Sequence, residues 1–184
     1  MAYVEHIIEF EEVMQNLALR LERIQVRAAD GLIRVAVLLR NETERVAPVT
    51  PVDLGNLRAS WFAVITGRGV QPDSEGKSGK FREGTKKSPR PPGFASRMAS
   101  EYKQSIAEYT QEANKIKPNL TLICGYSAFY AAAVHENLGM HDPSNPYWQN
   151  RKWRPGSGAK WFQAAIQRNM AKIVGLIAGT IKSG

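Results

Sequence analysis

The chain has 184 residues, 43% hydrophobic and 23% charged, the proportions expected of a soluble globular protein with length for one domain and a real core. A single cysteine, Cys124, excludes an intrachain disulfide and a thiolate metal cluster and is compatible with a reducing cytoplasm. No apolar run reaches the roughly 18 residues of a membrane span, and the acidic stretch MAYVEHIIEFEE is not expected to act as a secretory leader.

The net charge of +8 is unevenly placed: −2 over residues 1–65, +5 over 66–97, −2 over 98–142, and +7 over 143–184, where no acidic residue follows Asp142. A solvated basic face accounts for this as well as an electrostatic partner does, whether an acidic protein surface or nearby nucleic acid.

From about Glu9 to Arg45, within a helical region spanning 1–47, apolar residues recur in steps of three and four: Phe10, Val13, Met14, Leu17, Leu21, Ile24, Ala28, Leu32, Val35, Leu38 and Leu39. This predicts one long amphipathic helix. Asp30-Gly31 invites a kink or a split; a helix that projects and packs on a neighbouring subunit is the other expectation.

Pro48, Pro51 and Gly55 end the helix. Pro51, Asp53 and Gly55 suit a fixed turn, with Gly55 at positive φ and Asp53 bonding nearby amides. A strand is expected over Leu57–Thr66, with Arg58 and Ser60 on one face and Leu57, Ala59 and Trp61 on the other.

Residues 67–97 hold six Gly, four Pro and the run GTKKSPRPPGF, a composition expected to stay mobile until a partner orders it. A helix follows over about 95–116, its stripe Met98, Tyr102, Ile106, Tyr109 and Ala113. A strand over 119–125 and a short helix over 127–139, capped by Ser127 and ended by Gly139, come next. Residues 140–157 read as turns. The last helix runs over 158–182, with the stripe Phe162, Ala165, Ile166, Met170, Ile173, Ile177 and Ile181.

No catalytic or cofactor motif stands out. Cys124 and His135 form a nucleophile–base pair in name only, because an apolar strand favours an inert buried thiol. His135, Glu136, His141 and Asp142 place four donors within residues 135–142, but the spacing matches no known site, and a His–Glu pair at a helix end is expected instead of a metal. GKSGK at 76–80 lacks the upstream glycine spacing of a phosphate loop. The segment YWQNRKWRPGSGAKW suits an apolar anchor in a protein interface better than base stacking, since no sheet platform accompanies it. No cofactor or metal is expected, and a small hydrolase or metal enzyme built on His135 is the weakest of the readings.

Three segments resemble one family. APVTPVDLGNLRASW looks like the Pro-x-Asp-x-Gly-x-Leu-Arg-x-Ser signature of the tail-completion (neck) proteins of long-tailed bacteriophages, the group of the lambda-type minor tail protein Z. CGYSAFYAAAVHENLG is similar to that family's Tyr-Ala…Val-His-Glu segment, and GSGAKWFQAAIQRNMAKIVGLI to its closing helix. Order and spacing agree over most of residues 1–182; the insertion at 67–97 and the expanded 140–157 depart from the pattern.

The resemblance implies an α+β fold, a small, largely antiparallel sheet packed by long N-terminal and C-terminal helices, here with a long basic loop insertion. It implies a structural virion protein that is not an enzyme, in the host cytoplasm during assembly, that completes the tail at its head-proximal end and helps join it to the head. The implied partners are further copies of itself in a six-fold ring, the tail terminator or tail tube protein, and a head-side connector or stopper, with packaged DNA close by and no membrane. A basic nucleic-acid-binding protein is the competing function. The residues expected at partner surfaces are Arg58, Trp61, Lys86, Lys87, Trp148, Arg151, Trp153 and Arg154. For Arg58 the alternative is a solvated arginine in a plain helix–strand connector.

Overall fold

The computed structural model describes residues 2–52, 54–70, 78–86, 89–116, 119–137 and 154–182, with side chains from Phe10 onward except at 69–70. Its architecture is α+β, as expected. A three-stranded antiparallel sheet of order β2-β1-β3 comprises β1 (Trp61–Ile65), β2 (Gly69–Val70) and β3 (Leu122–Tyr126). Helix α1 (Ala2–Arg45) and helix α5 (Trp161–Lys182) pack on one another and on one side of the sheet; α3 (Phe94–Lys115) covers the other side. Two short helices, α2 (Asn56–Ala59) and α4 (Ala131–Glu136), complete it.

Strand β1 is the centre of the molecule. All five of its residues are buried, so the usual alternation of a half-exposed strand is lost. Trp61 faces Val35 and Leu39 of α1 and Ala165 of α5. Phe62 and Val64 face Tyr102, Ile106, Tyr109 and Ala113 of α3, and Phe62 stacks on Tyr109 with ring centroids 4.8 Å apart. The α3 stripe is therefore the one the sequence predicts. The β1–β3 ladder pairs Trp61 with Tyr126 and Ile65 with Leu122. It is extended at one end by Ser127 N and Oγ, which both donate to Ser60 O, and at the other by Thr66 N donating to Thr121 O.

The strand begins four residues later than predicted. Leu57–Ala59 form a helical turn, not the start of a strand. Gly55, at φ 85° as expected of this turn, lets Ala59 N reach Gly55 O and Ser60 N reach Asn56 O. Asn56 then holds the turn from outside: its Nδ2 donates to Arg82 O at 2.8 Å and its Oδ1 accepts from Arg82 N at 2.7 Å. Asp53 lies outside the described residues.

That contact also corrects the view of the 67–97 insertion as wholly unanchored. Its 78–86 part is tied down, with Gly79 N donating to Ala59 O and Phe81 edge-on to Tyr102.

Helix α1 is continuous through Asp30-Gly31, so it is not split there. Gly31 serves close packing instead: a Cβ there would come within 3.0 Å of the Ile177 Cα, so glycine lets α5 lie against the backbone of α1.

Helix α4 starts at Ala131, later than predicted, because Ser127 is used by the ladder. Tyr130 precedes it without a side-chain cap. Gly139 and most of 140–157 lie outside the described residues. Helix α5 buries Trp161, Ala165, Asn169 and Thr180, while Met170 of the predicted stripe is 54% exposed. Phe162, Ala165, Ile166, Ile173 and Ile177 of that stripe pack toward α1 and the sheet, and beside Met170 it is Asn169 that is buried, its Nδ2 donating to Ala165 O, which offsets the cost of burying its amide.

Candidate functional site

The described candidate residues fall into a buried polar knot behind the Pro48–Gly55 connector, a basic surface, and an exposed helix. The knot forms where α1 ends and the chain doubles back. Thr50 N donates to Thr43 O at 2.7 Å. Thr43 Oγ1 donates to Arg40 O, Thr50 Oγ1 donates to Thr43 O, and both hydroxyls lie 2.8 Å from the Tyr126 phenol oxygen. With the threonine protons directed at main-chain carbonyls, the threonine oxygens face the phenol as acceptors and Tyr126 is the donor. Burial pushes the Tyr126 phenol above its ordinary range, against the opposing charge of Arg40.

Next to the hydroxyls lies an ionic cluster. Glu44 pairs with Arg40 Nε at 2.6 Å and with Arg58. The Arg40 and Glu44 side chains are each 8% exposed and Arg58 is 25% exposed. The Arg40 guanidinium also sits over the Trp61 ring, 5.6 Å from its centroid. Arg58 was expected to present its guanidinium outward to an acidic partner; its acidic partner within the chain is Glu44. Trp61, expected at a surface, is 2% exposed and is a core residue. A bulky indole on β1 meets helices on its own side of the sheet before it can meet a partner.

Trp61 anchors an aromatic cluster. Its ring lies 5.3 Å from Tyr126 and 6.0 Å from Phe162, Tyr126 lies 6.0 Å from Trp161, and Trp161 lies 4.7 Å from His135, all edge-on. His135 Nδ1 is 2.8 Å from Glu136 Oε1. Glu136 also pairs with Lys160, whose backbone N donates to His135 O. The hydrogen bond from Lys160, then that from His135, holds the Glu136 carboxyl below its usual range. His141 and Asp142 lie outside the described residues. Among the described residues no three His, Cys, Asp or Glu converge as metal ligands. The Cys124 thiol is pushed up to about 12 by burial, so it stays protonated at neutral pH rather than forming a thiolate.

On the surface, Lys86 and Arg154 are exposed. Lys87, Trp148, Arg151 and Trp153 lie outside the described residues. Arg168 of α5 is committed within the chain: it donates to Ala47 O at 3.0 Å and Val46 O at 3.3 Å and approaches Glu42, closing the C-terminus of α1.

The helix stripe was visible in the sequence, but where its cover stops was not. Every residue from Phe10 to Val26 is exposed, including Phe10 at 65% and Val13 at 61%, whereas Val35 and Leu39 are buried. The Glu44–Arg58 pair was not found from sequence, and no local signal marks it, because the two residues stand 14 apart on different elements. Among the described residues no helix is long and apolar enough to cross a membrane. Comparison with family models, curated proteins and solved structures returned no match.

Proposed function

We propose that this chain is a structural virion protein of a long-tailed bacteriophage, a tail-completion component that sits as a ring at the head-proximal end of the tail and helps join it to the head. One observation supports this reading most. The three segments that carry the family resemblance lie far apart in the chain, yet their side chains form one cluster: Thr50 and Trp61 from the first, Tyr126 and His135 from the second, Trp161 and Phe162 from the third. Residues that jointly define one core form a coherent signature, because each constrains the others. The exposed half of α1 is in keeping with a protein whose surface is completed by further copies.

The test is assembly without the protein. Particles made in its absence should accumulate as separate heads and tails under the electron microscope, and supplying the chain should restore joining. Normal joined, infectious particles without it would remove the proposal.

The charge distribution favours one second reading, a nucleic-acid-binding role for the basic stretches 66–97 and 143–184. Affinity for random duplex DNA that falls steeply with salt, through counterion release, would select that reading; absence of such binding selects the first.

A further inference from the structure

Every residue of α1 from Phe10 to Val26 is exposed, with Arg68 Nη2 reaching Val26 O at 3.4 Å at the inner end of this arm. Its stripe is nevertheless the same one that α5 covers further on. Phe10, Met14, Leu17, Leu21 and Ile24 lead in alternating steps of four and three to Ala28, Gly31 and Val35, a coiled-coil type of seam. Ile177 and Thr180 of α5 lie against Gly31, and α5 ends at Lys182, so its cover stops there. Residues 2–26 extend about 37 Å beyond that point. From Phe10 to Val26 eight large apolar side chains are 44–65% exposed. The six on the stripe face, Phe10, Val13, Met14, Leu17, Leu21 and Ile24, leave on the order of 550 Å² of apolar surface, at the top of the range a monomer usually shows in one patch and a large part of one partner's share of a standard interface.

A second uncovered face lies on α5. Met170 and Val174 are 54% and 60% exposed, Ala171 is exposed beside them, and a Cβ at Gly175 or Gly179 would meet nothing within 4 Å. The result is a shallow track along which another helix can approach closely. The two faces are complementary in charge. Between Phe10 and Leu19 the arm carries Glu11 and Glu12 and no Lys or Arg, whereas α5 carries the exposed Lys172 and Lys182 and no acidic residue. Parallel pairing of two N-terminal halves would instead set Glu11 and Glu12 against their own copies.

We propose that the exposed half of α1 of one copy docks along the Met170–Gly179 face of α5 of a second copy. The two faces differ, so the contact is head-to-tail; each copy gives an arm and receives one, and the set is complete only when it closes. The inference deepens the ring reading and rests on it.

Two double variants test it, each confined to exposed positions and checked for folding by circular dichroism: Leu17→Glu with Leu21→Glu in the arm, and Met170→Glu with Val174→Glu on α5. Light scattering after size exclusion should show a closed oligomer for the wild-type chain and monomers for each variant alone, association having weakened on the order of a hundredfold. An equimolar mixture should give a dimer, because the second variant's intact arm fits the first variant's intact α5. A mixture that stays monomeric, or an α5 variant that assembles like wild type, overturns the arm-to-α5 contact while leaving the ring in place. Wild-type chain that is monomeric at every concentration also overturns it. The ring reading falls separately, if the neck of the assembled particle holds a single copy.

Discussion

The two halves of α1 share one helix, one period and nearly the same composition, yet one half is core and the other is surface. From Ala28 to Arg45 the apolar stripe lies under α5 and β1; from Phe10 to Val26 the same stripe faces outward. Hydrophobic periodicity reports that a face exists. What covers the face is decided by where another element ends, here at Lys182.

The sharpest way to break this comparison is the same substitution in both halves. Val35→Asp buries a carboxylate in the α1–α5–β1 cluster and should cost about 3–5 kcal/mol, as an uncompensated buried charge does. Leu17→Asp should change the stability of the monomer, compared at dilutions where copies are dissociated, by about 0.5 kcal/mol or less. Urea denaturation of the two variants measures both; equal losses would mean that the arm is covered within the chain.

A smaller effect is expected from glycines on the two faces of the α1–α5 pair. Gly31→Leu has to displace the Ile177 backbone and should destabilise by about 1–3 kcal/mol. Gly175→Leu meets open space and should stabilise the monomer by up to about 1 kcal/mol through helix propensity. Thermal melts of the two variants should move in opposite directions.

The buried knot offers a pH signature. Tyr126→Phe removes the donor shared by Thr43 and Thr50 and should cost about 1 kcal/mol at neutral pH. The folded-state phenol titrates above its unfolded value, so above the ordinary tyrosine range, about pH 10, the unfolded chain loses a proton that the folded chain keeps. Stability should therefore fall as pH rises through that range. The fall should shrink in Tyr126→Phe, measured in a Cys124→Ala background because the raised thiol contributes with the same sign.

The smallest effect concerns Glu136. Its carboxyl titration, followed by NMR, should lie below the usual range and move up toward it in Lys160→Gln, since the Lys160 hydrogen bond is the leading cause of the depression.

Much of the helical framework was legible because its residues obey a period that no tertiary contact overrides. The α3 stripe is the clearest case: Met98, Tyr102, Ile106, Tyr109 and Ala113 all pack as their spacing requires. Strand β1 was only half legible. Its burial on both faces erases alternation, and the turn at Asn56–Ala59 is fixed by backbone atoms of Arg82. The buried face of α5 was misread at Met170 because a hydropathy pattern does not reveal that Asn169 satisfies its own amide. Arg58 was legible as a residue held by a defined turn, but its direction was not, since the carboxylate that orients it sits at the end of another helix.

The pairing of α1 with α5 also bears on synthesis. The face of Val35 and Leu39 is made before the strands that cover part of it and well before the α5 residues that complete the cover, from Phe162 onward. Contacts so far apart in sequence make formation of this core slow, and until α5 emerges from the ribosome the base of α1 lacks the helix that sets it apart from its tip. A nascent chain of this protein thus carries one unbroken greasy helix, open to chaperones and to its own siblings on the same polysome, and only the arrival of α5 tells the two halves apart.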